Sequence, residues 1–150
     1  MKASVRKARK SDFDDVFKLI VELARFEKLK PPSKSAKKRL FNDSFGRKRK
    51  NNILVSTFDE YIIGYAFYFF TYSSFLAKKT LYLEDIFISK KLRSKGAGRL
   101  IFKELVKIAK KEKCGRVEWC VLDWNKNAIK FYDKLGAKPM NDWIYFRLTL

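Results

Sequence analysis

Histidine is absent from this chain of 150 residues, and cysteine, proline and glycine are scarce, with two, three and six residues respectively. Without histidine there is no imidazole general base, no Ser-His-Asp arrangement and no histidine-containing metal site. Cys114 and Cys120 are too few for a four-cysteine zinc site or a disulfide framework. We therefore expect no metal site, and two free thiols indicate a reducing, cytoplasmic location.

Long apolar segments are also missing. The longest one, residues 61–72, is too short to cross a bilayer as a helix. The first ten residues are basic and lack the apolar stretch of a secretory signal. We expect neither a membrane anchor nor secretion.

Acidic residues are outnumbered, with 16 Asp and Glu against 35 Lys and Arg, which leaves a net charge of +19. Such a charge favours anionic partners, namely phosphorylated cofactors, nucleic acid or an anionic membrane surface. We interpret most of the excess as a solvated, lysine-rich surface. Two basic clusters, Lys34-Lys37-Lys38 and residues 47–50, are interpreted in the same way, and contact with nucleic acid or an acidic protein is the alternative.

Hydrophobic periodicity predicts one α/β domain over residues 1–150, because 47% of the residues are apolar and the pattern alternates between strand and helix periods. A capping box at Ser11–Asp14 begins the first helix, Pro31-Pro32 follows its end, and Ser33 or Ser35 caps the second. The predicted strands are 3–8, 53–57, 62–72, 80–89, 116–122 and 143–150, and the predicted helices run from 11 to 27–30, from 33–35 to 45, over 99–113 and over 125–135.

The resulting order is β-α-α-β-β-β-α-β-α-β, a mixed twisted sheet flanked by helices. The strand, loop and helix over 81–113, followed by a strand at 116, form a crossover that implies one parallel pair.

The sharpest local feature is the loop Arg93-Ser94-Lys95-Gly96-Ala97-Gly98, which lies between a predicted strand and a predicted helix. Backbone N–H groups and the positive end of the helix dipole converge at such a point, and glycine lets the backbone approach a phosphate closely. Arg93, Lys95 and Arg99 add positive charge. The loop therefore indicates a pyrophosphate site, and a tight turn without a ligand is the alternative.

The loop and its surroundings resemble a known family. Arg-x-x-Gly-x-Gly after an apolar strand is similar to the acetyl-CoA-binding motif of the GNAT N-acetyltransferases. Within that family the chain looks most like the diamine (spermidine/spermine) acetyltransferase branch, and the similarity covers roughly residues 3–148. The segments that carry it are LYLEDIFI at 81–88, Trp124-Asn125, NAIKFY at 127–132, FYFFTY at 67–72, ELARFE at 22–27 and Trp143.

This resemblance implies a GNAT fold and acetyl-CoA as the cofactor. The pantetheine arm would pair with the backbone of Ile86, Phe87 and Ile88 like an added strand. The diphosphate would lie on the amides of residues 94–99, beside Arg93. Asn125 would hydrogen-bond the cofactor arm, and its alternative role is a helix N-cap. The resemblance thus implies that the diphosphate is bound by Ser94, Lys95, Gly96, Ala97, Gly98 and Arg99.

The resemblance also implies the catalytic groups. Tyr132 would contact the cofactor and protonate the leaving thiolate, and Glu84 would act as the base through water. Glu84 lies between Leu83 and Ile86, so we predict that it is desolvated and that its pKa is raised. Strand alternation predicts that Asp85 points to the opposite face. The alternatives are a packed helix tyrosine for Tyr132 and a solvent-facing charge for Glu84.

A cationic acceptor needs negative charge and aromatic walls. Glu27, Glu84, Asp85 and Asp142 are candidates for the charge, and Tyr72 and Trp143 for the walls. Core packing of the last strand is the alternative for Trp143. The sequence departs from the diamine branch after Thr-Tyr, where Ser73-Ser74-Phe75 replaces an acidic residue and a tryptophan.

These features lead to one main hypothesis, an acetyl-CoA-dependent N-acetyltransferase. It would acetylate a primary amine of a polyamine, a diamine or a lysine-like molecule by direct attack in a ternary complex. The resemblance suggests a homodimer. The alternatives are a protein or peptide acetyltransferase, acting on lysine or N-terminal amines, and a non-catalytic nucleic-acid-binding module on the same fold.

Overall fold

The helices and strands are seen in a computed structural model that describes residues 3–93 and 95–150. Ser94, one of the predicted phosphate-binding residues, therefore lies outside the described residues. The elements are β1 (Ser4–Lys7), α1 (Phe13–Phe26), α2 (Lys34–Phe45), β2 (Asn52–Phe58), β3 (Tyr61–Ser73), β4 (Lys78–Ile88), α3 (Ala97–Lys111), β5 (Arg116–Trp119) and α4 (Lys126–Lys134), with short 3₁₀ turns at Lys10–Asp12 and Lys90–Leu92.

The described strands form a five-stranded sheet in the order β1-β2-β3-β4-β5. The first three pairings are antiparallel, and β4 pairs with β5 in parallel. Because α3 connects β4 to β5, the parallel pair is the predicted crossover. The α/β class and the mixed sheet are thereby confirmed.

The start of α1 differs from the prediction. Asp12 precedes the helix, and its carboxylate accepts from the backbone N–H of Arg9 at 2.6 Å and from the Arg6 guanidinium at 2.6 and 3.0 Å. The hydrogen bond from Arg6 holds the pKa of Asp12 below its usual value. The predicted capping box at Ser11–Asp14 is therefore wrong, because Arg6 on β1 and the backbone of Arg9 both donate to the Asp12 carboxylate. For α2 the cap is Ser33, whose Oγ accepts from Ala36 N–H at 3.1 Å.

A hydrophobic core lies on one face of the sheet under α1 and α2. Helical spacing places Phe13, Val16 and Ile20 on one buried stripe of α1, and these side chains pack against the strands. The buried residues of this cluster are Phe13, Val16, Leu19, Ile20, Phe45, Ile53, Val55, Tyr65 and Phe87. The helix thus covers the central strands next to the segment that carries the predicted catalytic carboxylates.

The chain divides into two compact units, one ending at Trp119 and the other running from Cys120 to Leu150. In the second unit α4 forms as predicted, but the described residues 143–150 form no strand. The predicted last strand is therefore wrong, and β5 ends at Trp119 rather than Leu122. A strand requires a neighbour to pair its backbone N–H and C=O groups. None pairs with this segment in the described chain, and Phe146 is 85% exposed.

The turn between β2 and β3 has a strained backbone, and a single substitution can relieve the strain. Asp59 and Glu60 have φ values of 49° and 70°, and two-residue hairpin turns of this kind favour glycine at the second position. We expect Glu60→Gly to raise the free energy of unfolding by about 1 kcal/mol, measured by urea denaturation. Lys103→Gly, at an exposed position within α3, is the control and should lower it by about 1 kcal/mol. A loss of stability in Glu60→Gly would contradict the strain.

Candidate active site

A β-bulge interrupts the pairing of β3 with β4 at the predicted catalytic carboxylates. Tyr68 pairs with Leu83 and Phe67 pairs with Asp85, so that Glu84 has no partner across the strands. Bulges re-aim side chains and break the strict alternation of faces. The prediction that Glu84 and Asp85 point to opposite faces rests on that alternation and stays a prediction at this bulge. The charge of Glu84 acts on both Asp85 and Tyr65.

Asp85, rather than Glu84, is the desolvated carboxylate. Its side chain is partly buried, and its Oδ2 accepts from the Tyr65 hydroxyl at 3.3 Å. Burial, with the negative charge of Glu84 and then of Glu27, raises the pKa of Asp85 to about 6, while the hydrogen bond from Tyr65 opposes the rise. Glu84 is exposed, so the predicted desolvation of Glu84 is wrong. The physical reason is the bulge, which leaves Glu84 outside the pairing.

Glu27 brings a third carboxylate to this place from the end of α1. Burial raises its pKa above the ordinary value, and its charge is felt by both Asp85 and Tyr65. Glu27, Glu84 and Asp85, here called the carboxylate cluster, come from two elements, and the charges of Glu27 and Glu84 both act on Asp85. Among the described residues, the structure pairs none of the three with a lysine or an arginine.

The backbone of β4 beyond the bulge is open on one side. Pairing with β5 covers only Thr80–Leu83, whereas β4 continues to Ile88 and there pairs with β3 alone among the described strands. An extended chain can add to such an edge by main-chain hydrogen bonds. Ile86, Phe87 and Ile88, predicted to bind the cofactor arm, lie in this segment. Phe87 directs its side chain into the core and pairs with Tyr65 of β3.

The loop after β4 has the local geometry expected of a phosphate site. Gly96 is the N-cap of α3 and has φ 76° and ψ 0°, a left-handed conformation that favours glycine. A Cβ at Gly96 would meet no atom within 4 Å, so the backbone is open there. The first hydrogen bond of α3 is Leu100 N–H to Gly96 O. The preceding amides of Ala97, Gly98 and Arg99 therefore have no acceptor within the helix.

Cations surround this helix end. The Arg93 guanidinium lies 5.4 Å and 5.5 Å from the ring centres of Phe26 and Phe87, and its Nε donates to Ile88 O at 3.1 Å. Lys95 lies 4.4 Å from the ring centre of Phe58. Arg93, Lys95 and Arg99 are all exposed. Open amides, a left-handed glycine and exposed cations fit a diphosphate, and the adjoining edge of β4 fits an extended arm. The residues present therefore suit coenzyme A.

The second unit holds four of the predicted site residues, Asn125, Tyr132, Asp142 and Trp143. Asn125 caps α4, its Oδ1 accepting from Ala128 N–H at 3.2 Å, so its structural role is confirmed. Tyr132 is seven residues further along, on the same face of α4 at helical spacing, and is partly buried. Trp143 is 74% exposed, so core packing, the alternative for this residue, is wrong.

Tyr72 is not brought to the carboxylate cluster. It lies on β3 five residues beyond Phe67, the partner of Asp85, which is about 16 Å along a strand, and its side chain is exposed. Asp142 is also exposed, in the second unit. Tyr65 is the residue that sequence analysis missed. Its position in an aromatic strand indicates a core residue, and no sequence signal indicates that its hydroxyl reaches a carboxylate.

Within the described residues, no group of three His, Cys, Asp or Glu side chains is arranged to hold a metal ion. The same part of the chain contains no helix with the length and apolar character needed to cross a membrane.

Comparison with known proteins gives relatives of related activity. The chain is 34% identical over 154 residues to a thialysine N-epsilon-acetyltransferase of Mus musculus, covering 95% of this chain and 90% of the relative. It is 46% identical over 91 residues to an L-ornithine N5-acetyltransferase of Arabidopsis thaliana, covering 61% and 40%. A spermidine/spermine N(1)-acetyltransferase-like protein of Homo sapiens is 29% identical, over 97% of this chain and 22% of that protein.

Solved structures share the fold. An integron cassette protein from the mobile metagenome of V. cholerae superposes with a TM-score of 0.82 and 25% identity, covering 99% of this chain and 93% of the other. A possible acetyltransferase from Clostridium difficile 630 gives a TM-score of 0.84 at 20% identity, covering 100% and 99%. The family model of the GNAT acetyltransferases matches residues 13–137. The chain therefore belongs to the GNAT family and is an N-acetyltransferase, of a family whose acetyl donor is acetyl-CoA.

Proposed function

We propose that this enzyme transfers the acetyl group of acetyl-CoA to a primary amine of a small molecule of the polyamine, diamine or lysine-like class. The observation that carries the proposal is the carboxylate cluster. In a chain with a net charge of +19, Glu27, Glu84 and Asp85 lie together without a basic partner among the described residues. Such a place favours a cation supplied by a ligand.

The relatives support the same class of acceptor. Thialysine and ornithine, named in two of them, each carry a side-chain amine at the end of a short chain. An acceptor of this kind has an ammonium group at one end, which is acetylated, and further charged groups at the other end. The three carboxylates would bind the ammonium end, and Trp143 is the proposed aromatic contact for the rest of the molecule.

For the acetyl donor, acetyl-CoA supplies a reactive thioester when bound. The open backbone of Ile86–Ile88 would pair with its extended arm, and the amides and cations of residues 93–99 would hold its diphosphate. Asn125 is proposed to hydrogen-bond the arm in addition to capping α4. That residues 1–150 act as one acetyltransferase domain, in a homodimer and in the cytoplasm, stays a prediction.

The acceptor must lose a proton before it reacts, because an alkylammonium group with a pKa near 10 has no free electron pair. Glu84, acting through water beside the partly desolvated Asp85, is the proposed base. The neutral amine nitrogen would then bond to the acetyl carbon as the carbon–sulfur bond breaks. The sulfur would leave with the bonding electron pair, and the nitrogen would lose its second proton to water. Tyr132 is proposed to donate its hydroxyl proton to that sulfur.

An assay of thiol release from acetyl-CoA with a panel of amines tests this function. We expect the highest kcat/KM with thialysine, ornithine, lysine, putrescine or spermidine, and far lower values with a lysine-containing peptide or an N-terminal peptide amine. Asp85→Asn should raise KM for the amine because it removes one negative charge, while Asp59→Asn, in the exposed turn after β2, should not.

Two results would contradict the proposal. Preference for the peptides over every small amine would assign the chain to protein or peptide acetylation. Absence of thiol release with any amine, together with tight and salt-sensitive binding of DNA, would favour a nucleic-acid-binding module.

A further inference from the structure

Tyr65 is the largest side chain of the described residues that is fully buried, with 0% exposure. It lies on β3 within the core cluster that contains Phe13, Val16 and Phe87. A buried phenol needs a hydrogen-bond partner, and Tyr65 finds it in Asp85, whose Oδ2 accepts from the hydroxyl at 3.3 Å. A residue of the hydrophobic core therefore directly contacts the carboxylate cluster.

The strand register explains this contact. Tyr65 pairs with Phe87 and Phe67 pairs with Asp85, so Tyr65 and Asp85 are diagonal neighbours on adjacent strands. Diagonal partners lie within reach of an aromatic side chain. Because the Tyr65 ring is packed on all sides, its hydroxyl has a defined position, and one oxygen of Asp85 is held at that position. The second oxygen, Oδ1, is not engaged by Tyr65.

Tyr65 and the two neighbouring glutamates have opposite effects on the ionisation of Asp85. Glu84 on the same strand and Glu27 at the end of α1 disfavour the ionised carboxylate, while the Tyr65 hydroxyl favours it. Lys90 and Arg93, which follow β4 in the chain, lie over the Phe26 ring at 5.3 and 5.4 Å. The phenol remains a donor, because burial raises the pKa of Tyr65 well above its ordinary value. Tyr65 is thus the neutral donor that offsets two repelling carboxylates.

We propose that Tyr65 is a positioning residue of this acetyltransferase: its hydroxyl fixes Oδ2 of Asp85 and leaves Oδ1 to accept a hydrogen bond from the ammonium group of the acceptor. This role rests on the proposed function, because it requires an amine to bind at Asp85. It extends the site from the carboxylate cluster into the core, through a residue that does not itself touch the substrate.

The test compares pH profiles of kcat/KM for the best small amine in the wild-type enzyme and in Tyr65→Phe. In the wild type we expect activity to fall as the pH drops through about 6, where Asp85 is protonated. Loss of the hydroxyl raises the pKa of Asp85, so the acidic limb moves to higher pH. A hydrogen bond worth about 1 kcal/mol gives about a threefold loss of kcat/KM at pH 6 and little loss at pH 8.

Tyr68→Phe is the matched control, because Tyr68 is also a buried tyrosine of β3 and its neighbouring charges are Glu104 and Glu112 rather than Asp85. Its pH profile should match that of the wild type, and Asp85→Asn should lose the acidic limb. KM for acetyl-CoA should stay unchanged in Tyr65→Phe, which separates positioning from unfolding.

The outcomes distinguish the two proposals. A shifted limb in Tyr65→Phe alone supports the role of Tyr65. An active wild type whose limb is unshifted in Tyr65→Phe, or equally shifted in Tyr68→Phe, overturns that role and leaves the proposed function intact. A wild type without turnover of any amine overturns the proposed function and this role with it.

Discussion

Replacing Gly96 with leucine is expected to weaken acetyl-CoA binding by at least about 100-fold, which corresponds to about 2.7 kcal/mol. Gly96 caps α3 in a left-handed conformation, and a Cβ there would project into space that contains no atom within 4 Å. A bulky side chain would therefore fill the space in front of the helix amides. It would displace the diphosphate from hydrogen bonds to charged oxygens, which are among the stronger ones in proteins.

Gly136→Leu provides a matched control. Gly136 has φ 80° and, like Gly96, no atom within 4 Å of its would-be Cβ. The two variants therefore carry the same kind of backbone strain, on the order of 1 kcal/mol in the free energy of unfolding. Titration calorimetry with coenzyme A should show the loss of affinity in Gly96→Leu and not in Gly136→Leu. If Gly96→Leu keeps its affinity, the diphosphate is held elsewhere.

Replacing Tyr132 with phenylalanine is expected to lower kcat on the order of 100-fold and to leave the dissociation constant of acetyl-CoA nearly unchanged. The substitution removes one hydroxyl and retains the ring, which lies 5.6 Å from the ring of Phe131. Packing in α4 should therefore persist, while the proposed proton donor to the leaving sulfur is lost. Single-turnover measurement of thiol release, beside calorimetry with coenzyme A, separates these two effects.

Tyr61→Phe controls for the removal of a tyrosine hydroxyl as such. Tyr61 is 78% exposed at the start of β3 and has no proposed role. Its kcat should equal that of the wild type. Unchanged turnover in Tyr132→Phe would show that the leaving thiolate needs no proton from this residue. A parallel loss of kcat and of acetyl-CoA affinity would instead indicate a role in binding.

Most of the element order follows from local sequence patterns. The helical spacing of Phe13, Val16 and Ile20 predicted α1, which ends at Phe26 with the left-handed residue Lys28 (φ 59°), before Pro31-Pro32 is reached. The crossover from β4 through α3 predicted the parallel pairing with β5. These properties depend on residues within one element or at its ends. Periodicity, caps and chain stiffness act over a few residues, so they can be recognised without the fold.

Three predictions failed where contacts outside a single helix or strand decide the outcome. Arg6 makes Asp12 the organising carboxylate at the start of α1. The bulge opposite Phe67 and Tyr68 exposes Glu84 and lets Asp85 become the desolvated carboxylate. The apolar pattern of residues 143–150 has no pairing partner in the described chain. Each depends on a neighbour that sequence spacing does not identify.

The sequence by itself determined the α/β class, the family resemblance and the position of the glycine-containing loop before α3 that we propose holds the diphosphate, because glycine placement and hydrophobic periodicity are local properties. It also predicted that Glu27, Glu84 and Asp85 would share one region. Only the tertiary structure decided that Asp85 is the desolvated carboxylate. It also placed the Asp85 carboxylate within hydrogen-bonding distance of Tyr65, twenty residues away. Burial and cross-strand contacts arise from the register of β3 against β4, and one unpaired residue in that register changes which side chain faces the core.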